Sequence, residues 1–269
     1  MSGNLDITGK TRLMVLQGDP IAQTRASQMV NLTLANRGLA GEAVVVPFQV
    51  NPGTLAQVLA ALRAMPNFKG AVVTMPNKEA IIPLLDEVTA PARQVGACNV
   101  ISLDQNGRLI GTMFDGEGFV AGLKKTGAQL AGKRVFLYGL GGAGAAIAFA
   151  LARHGAASLR LHNRTEDKAK RLAERICAEH PAVEVDSGPA SGTYDIVVNA
   201  SSVGMKEGDP ISIPLEALRA DSVAADIIPG TGTTPFLVAA RERGCAIYPG
   251  AGMLAAQIDL ITDFLLGPT

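Results

Sequence analysis

Tryptophan is absent, aromatic residues make up only 4% of the chain, and the three cysteines stand far apart at positions 98, 177 and 245. An odd number at wide spacing excludes a disulfide framework and the short paired spacings of a structural zinc site. Cys98, Cys177 and Cys245 therefore read as buried small apolar residues in a reducing compartment. Neither sign of charge is in excess, with 24 Lys and Arg against 24 Asp and Glu. No basic field gathers nucleic acid or an anionic membrane surface, so the expected partner is a small molecule. No apolar run is long enough to span a bilayer, and the opening Met-Ser-Gly-Asn-Leu-Asp-Ile-Thr has no basic stretch leading into an apolar one. These features point to a soluble, cytoplasmic protein. His154, His162 and His180 do not cluster with carboxylates at ligand spacing, and no metal is expected.

What is present is apolar residue and glycine: 48% of the former and 30 of the latter in 269 residues, enough for one large α/β domain or two modest ones. Apolar runs of strand length alternate with longer segments of helical period, the pattern of βα units around a mostly parallel sheet. In the first half, Arg12 to Leu16, Glu42 to Pro47 and Gly70 to Thr74 read as strands, with helices near Ser27 to Asn36 and Thr54 to Ala64. Asn99 to Leu103 and Arg108 to Met113 flank Asp-Gln-Asn-Gly, a hairpin turn that marks the end of this first sheet. A helix within Gly116 to Gly132 leads to a fresh series. Its strands are Arg134 to Tyr138, Ser158 to His162, one near Val183, Tyr194 to Asn199, Ala224 to Ile228 and Ala246 to Tyr248, with helices to about His154 and over Glu166 to Glu179. Met253 to Leu266 is a further amphipathic helix, placed to return to the first domain. The fold class is thus α/β with two domains: a substrate domain of residues 1–115 plus 250–269, and a doubly wound Rossmann domain of residues 116–249. A ligand cleft is expected between them.

Gly139-x-Gly141-x-x-Gly144 follows an apolar strand directly and opens an alanine-rich helix, the context in which a glycine pattern acquires a physical meaning. Gly139 permits the tight turn, Gly141 lets the backbone approach a pyrophosphate, and Gly144 allows close packing. The helix N-terminus supplies free N–H groups and a positive dipole end. The competing interpretation is a small-residue helix start that serves packing alone. At the end of the next strand, where an acidic residue would receive a ribose 2′-hydroxyl, stands His162-Asn163-Arg164-Thr165. Arg164, Thr165 and Lys168 suit a 2′-phosphate and favour NADP, whereas Glu166 and Asp167 weaken the positive field and leave NAD open.

The remaining motifs resemble those of the shikimate and quinate dehydrogenase family, nearly end to end. Val73-Thr74-Met75-Pro76-Asn77-Lys78-Glu79 resembles its catalytic-lysine segment, Gly96-Ala97-Cys98-Asn99 its Gly-Ala-x-Asn element, and Asp115 its aspartate before Gly-x-Gly. Asn199-Ala200-Ser201-Ser202-Val203-Gly204-Met205 and Gly252-Met253-Leu254-Ala255-Ala256-Gln257 resemble two more. The resemblance implies reversible oxidation of a ring hydroxyl of shikimate, quinate or a related hydroxylated cyclic acid. In this reading Lys78 exchanges the hydroxyl proton and Asp115 sets its charge. Thr24, Thr74, Asn99 and Gln257 hold the substrate. Gly139, Gly141, Gly142, Ala143, Gly144, Asn163, Arg164, Thr165, Lys168, Ser201, Val203, Met205 and Gly250 hold the cofactor. Read without the resemblance, Lys78 is an exposed lysine beside Glu79 and Gln257 faces water. With Pro76 in a first helical position, a cation at Lys78 opposes the helix dipole.

Departures from the family pattern fall on the substrate side. Where the family has His-Ser-x-Ser-Pro, this chain has Gln23-Thr24-Arg25-Ala26-Ser27, keeping one hydroxyl at Thr24 and losing one at Ala26. Met113-Phe114 replaces an Asn-Thr, and Pro229 replaces a tyrosine. The expectation is a divergent member for which shikimate itself is a poor or secondary substrate, with Arg25 as a replacement carboxylate ligand. Two alternatives remain: a catalytically silent NAD(P)-binding regulator or ligand sensor on the same fold, and another Rossmann reductase acting on folates or carbonyls. The assembly is expected to be a monomer or homodimer.

Overall fold

The computed structural model describes residues 7–22, 24–228 and 233–267. Gln23 and Pro229, two of the departures noted above, lie outside them. The chain divides into two compact units, Met1–Phe114 with Gln257–Thr269, and Asp115–Ala256.

The first unit carries a sheet in the order β2-β1-β3-β5-β6-β4, from β1 (Arg12–Gly18), β2 (Ala43–Gln49), β3 (Phe68–Val73), β4 (Glu87–Val88), β5 (Val100–Leu103) and β6 (Leu109–Thr112). β1, β2 and β3 run parallel, because α1 (Ala26–Asn36) and α2 (Leu55–Arg63) supply the crossovers. α2 buries Leu55, Leu59 and Leu62 at helical spacing, and the strands meet it with Val15, Phe68, Val73 and Ile101. The expected hairpin forms, with β5 antiparallel to both β3 and β6. It is not the edge of the sheet, since β4 pairs with β6 beyond it. Between β3 and β5 lie α3 (Asn77–Ala80) and α4 (Ala90–Val95), too short to leave a periodic trace. Pro76 is not in the first helical position: α3 starts at Asn77, with Pro76 as its N-cap.

The second unit begins with α5 (Asp115–Lys125). It continues through β7 (Arg134–Tyr138), α6 (Gly142–Arg153), β8 (Ser158–His162), α7 (Glu166–Glu179), β9 (Glu184–Ser187), β10 (Tyr194–Asn199), β11 (Leu218–Asp226), α8 (Pro235–Glu242), β12 (Ala246–Tyr248) and the start of α9 (Gly250–Leu266), whose residues from Gln257 onward belong to the first unit. All its strand pairings are parallel in the order β12-β11-β10-β7-β8-β9. The central strands bear the uninterrupted apolar runs of a sheet covered on both faces, Val135-Phe136-Leu137 and Ile196-Val197-Val198, each residue at most 1% exposed. The order reverses between β7 and β10, so the crevice outside their carboxyl ends is the place where this architecture binds ligands. α8 follows a Thr-Pro N-cap signature in which the Thr234 hydroxyl accepts from Leu237 N.

Cys98 and Cys245 are buried, but Cys177 is exposed, contrary to the sequence reading. α7 buries Ala169, Leu172, Ala173 and Ile176, and a residue one step past Ile176 is turned about 100° away from that stripe. α9 starts at Gly250, earlier than Met253. Its later turns pack in the first unit, where Arg37 pairs with Asp259 at 2.9 Å and Asp263 at 2.5 Å. Among the described residues no helix is long and apolar enough to cross a membrane, and no cluster of three or more His, Cys, Asp or Glu is placed to hold a metal.

Candidate active site

In the second unit the glycine turn lies at the reversal of strand order. Gly139 has φ +94° and packs on the loop after β10, where a Cβ at 139 would stand 2.5 Å from Ser201 N. Gly144 presses on the turn, since a Cβ there would stand 1.9 Å from Gly139 O. Gly141 differs: a Cβ at that position meets nothing within 4 Å. Among the described residues no neighbour requires glycine at 141, and the open space above it suits the close approach of a pyrophosphate. Gly141 is also the N-cap of α6 with no side-chain capping bond, leaving the amides of Gly142, Ala143 and Gly144 at the positive end of a 12-residue helix, which suits an anion. These residues fit a dinucleotide.

Asn163 closes the turn from β8. Its Oδ1 accepts from Leu140 N at 3.0 Å and its Nδ2 donates to Thr165 O at 3.2 Å, so its side chain fixes the turn rather than projecting from it. Arg164 and Thr165 are exposed, Lys168 is half-buried, and Glu166 and Asp167 share the first turn of α7. Ser201 Oγ donates to Asn199 Oδ1 at 2.7 Å and accepts from Val203 N at 3.1 Å. Met205 is 38% exposed. Beyond it, the main-chain amides of Lys206 and Gly204 hold the Asp209 carboxyl below its ordinary range. Gly250 opens α9, where a Cβ would stand 2.5 Å from Ile228 O.

In the first unit the carboxyl ends of β1 and β3 and the amino end of β5 share one edge. Thr74 N donates to Gln17 O at 2.9 Å, and Val73 N to Asn99 O at 2.8 Å. Asn99 and Gln257 are brought together: Asn99 Nδ2 donates to Gln257 Oε1 at 3.2 Å, while Asn99 Oδ1 accepts from Phe114 N at 2.9 Å. Gln257 does not face water, being 6% exposed. Lys78 is half-buried in α3, and its carbonyl accepts from Cys98 N at 2.8 Å, tying the lysine segment to the Gly96–Asn99 element. Thr24 is half-buried in the loop before α1, Arg25 is exposed, and Ala26 is buried at the first position of α1. Asp115 is the first residue of α5 in the second unit and is 2% exposed.

Residues 16–101 match the model of the shikimate dehydrogenase substrate binding domain, and residues 122–205 match that of shikimate / quinate 5-dehydrogenase. The shikimate dehydrogenase (NADP(+)) of Rubrobacter xylanophilus is 39% identical over 256 residues, covering 93% of this chain and 89% of that protein. The chain belongs to the shikimate dehydrogenase family. Among solved structures, the 5-ketofructose reductase of a Gluconobacter species is similar with a TM-score of 0.84 at 32% identity, over 97% of this chain and 95% of that one. The shikimate 5-dehydrogenase of Thermus thermophilus, solved with NADP(H) and shikimate, is similar with a TM-score of 0.84 at 29% identity, over 95% and 94%.

Some polar residues of these shikimate dehydrogenase-like units escaped the sequence reading. Asn199, Asp226 and Thr234 form one buried network, and Gln17 and Asn77 form another. The signal for the first was a polar residue closing each of two apolar strands, Val-Val-Asn199 and Ala-Ala-Asp226.

Proposed function

We propose that the chain is an NADP-linked oxidoreductase that reversibly interconverts a hydroxyl and a ketone on a polyhydroxylated ring acid or a related polyol. The observation that carries this reading is the uncapped, sterically open start of α6 at the strand-order reversal. A nicotinamide cofactor, when bound, supplies the hydride acceptor and donor. The protein's part is to hold and orient both reactants and to move the proton. Gly141 and the first amides of α6 take the pyrophosphate, while Arg164, Thr165 and Lys168 take the 2′-phosphate. Asn99, Gln257, Thr74 and Thr24 orient the hydroxylated substrate. As the carbon loses hydride, its hydroxyl proton passes to Lys78, and returns from Lys78 in the reverse direction. Asp115 is assigned with Lys78 to this proton.

The substrate is expected to differ from shikimate. The buried Ala26 offers no hydroxyl where the family pattern has a serine, and each hydrogen bond lost to a bound polar group costs about 1–3 kcal/mol. The likeness to a reductase of a neutral ketosugar makes a substrate without a carboxylate part of the same proposal. The test is a panel of shikimate, quinate and a ketosugar with each nicotinamide cofactor, followed through the absorbance of the reduced form. Higher kcat/KM on quinate or the ketosugar than on shikimate is expected. Shikimate turnover equal to that of an ordinary family enzyme contradicts the divergence.

A further inference from the structure

Asp226 closes β11 beside Asn199, its register partner at the end of β10, and is 1% exposed. Three donors converge on its carboxylate. Oδ2 accepts from Asn199 Nδ2 at 3.0 Å and from Thr234 Oγ1 at 2.8 Å, and Oδ1 accepts from Ile228 N at 3.0 Å. No cation pairs with it among the described residues. A buried carboxylate without a countercharge is retained at a cost in desolvation, so its acceptor geometry calls for a role.

We propose that Asp226 is a positioning residue for the dinucleotide, setting the loop after β10, Ile228 after β11 and the start of α8 without touching the cofactor; this rests on the reading of the second unit as dinucleotide-binding. The carboxylate fixes which way the Asn199 amide points. With Nδ2 turned to Asp226 and to Val203 O at 3.0 Å, Oδ1 is left to accept from Ser201 N at 3.1 Å and Ser201 Oγ at 2.7 Å. A reversed amide would set Oδ1 against the carboxylate and the Val203 carbonyl, and would release Ser201. Ser201 is the residue against which Gly139 packs, so the orientation chosen at Asp226 reaches the phosphate turn. On the other side the carboxylate holds Ile228 N, and the Ile228 carbonyl is the surface against which Gly250 packs. Thr234 adds the start of α8 to the same carboxylate. One side chain thus sets three segments at the carboxyl edge of the sheet.

Asparagine has the same shape but the wrong hydrogen-bond pattern. Its NH₂ would face either Ile228 N–H or the Asn199 NH₂, donor against donor. Fluorescence titration of NADPH into the folded chain, with Tm recorded alongside, tests the assignment. Asp226→Asn is expected to raise the Kd about tenfold. Adding Asn199→Asp restores a donor facing an acceptor, and is expected to recover part of that loss, since Val203 O remains without its donor. A structural role alone would lower Tm and leave Kd in place. A folded Asp226→Asn chain that binds NADPH within twofold of wild type overturns the assignment. Should Asp226→Asn fail to fold, Thr234→Val, which removes one donor, is expected to raise the Kd about threefold, and an unchanged value overturns it equally. Wild-type protein that binds neither NADPH nor NADH would refute the dinucleotide reading and this assignment together, an outcome distinct from both.

Discussion

Gly139 and Gly141 of the turn are glycine for different reasons, and single substitutions separate them. Gly141→Ala places a methyl group in open space at an extended backbone (φ −70°, ψ −173°). It is expected to cost less than ~1 kcal/mol of stability while raising the Kd for NADPH by an order of magnitude. Gly139→Ala meets both a positive φ and the backbone of Ser201, and is expected to lower Tm and affinity together. Thermal unfolding with and without cofactor distinguishes the two. At Arg164, exposed just after β8, Arg164→Ala is expected to raise KM for NADP about tenfold or more and to change KM for NAD little, because in the proposed role the guanidinium would meet the 2′-phosphate alone. Equal effects on the two cofactors would remove Arg164 from that role.

At the level of elements, the short helix α3 owes its position to polar groups rather than to length. Asn77, wholly buried, donates to Gln17 Oε1 at 2.6 Å and to Val50 O at 2.7 Å, while Gln17 O accepts from Thr74 N. The segment carrying Lys78 is therefore tied to β1 at two points. Asn77→Ala leaves buried acceptors unpaired and is expected to cost about 1–3 kcal/mol in denaturant unfolding, and to lower kcat more than it raises KM. Such elements were hard to read in the sequence. β7, α6, β8 and α7 were legible because each carries a full apolar run or several turns of period, and the glycine pattern fixed their junction. Residues 77–95 hold α3, β4 and α4, interrupted by Pro83 and Pro91, and none is long enough for periodicity to register. The Asn99–Gln257 pair was legible only as two motif positions, since a bond across 158 residues of chain follows from tertiary register. Asp226 and Asn199 were invisible as a pair for the same reason: parallel neighbours are identified by strand order, which the reversal at β7 and β10 sets.

For the molecule as a whole, the ionisation of Asp226 couples folding to pH. Burial raises its carboxyl above the ordinary 3.8, against the opposing pull of its three donors. The native state then binds this proton more tightly than the unfolded chain. The contribution is complete below the unfolded pKa and is lost as pH rises through the folded one. The stability gap between wild type and Asp226→Ala is therefore expected to narrow from about pH 4 upward. Asp195, held low by the amide of Arg134 and by Arg219 despite some burial, acts with the opposite sign. Its contribution is present above the unfolded pKa and is lost on acidification. Denaturant unfolding of Asp226→Ala and Asp195→Ala across this range checks the two signs.

In the proposed mechanism separate parts of the chain serve the two transfers: the α6 turn would hold the dinucleotide that carries the hydride, and Lys78 would take the proton. The most direct measurement is the turnover of Lys78→Ala on the best substrate of the panel, taken with its Kd for NADPH. In Lys78→Ala kcat is expected to fall about 10²-fold or more while the Kd stays within twofold. Undiminished turnover in Lys78→Ala, or a loss of NADPH binding that accounts for its inactivity, would contradict it.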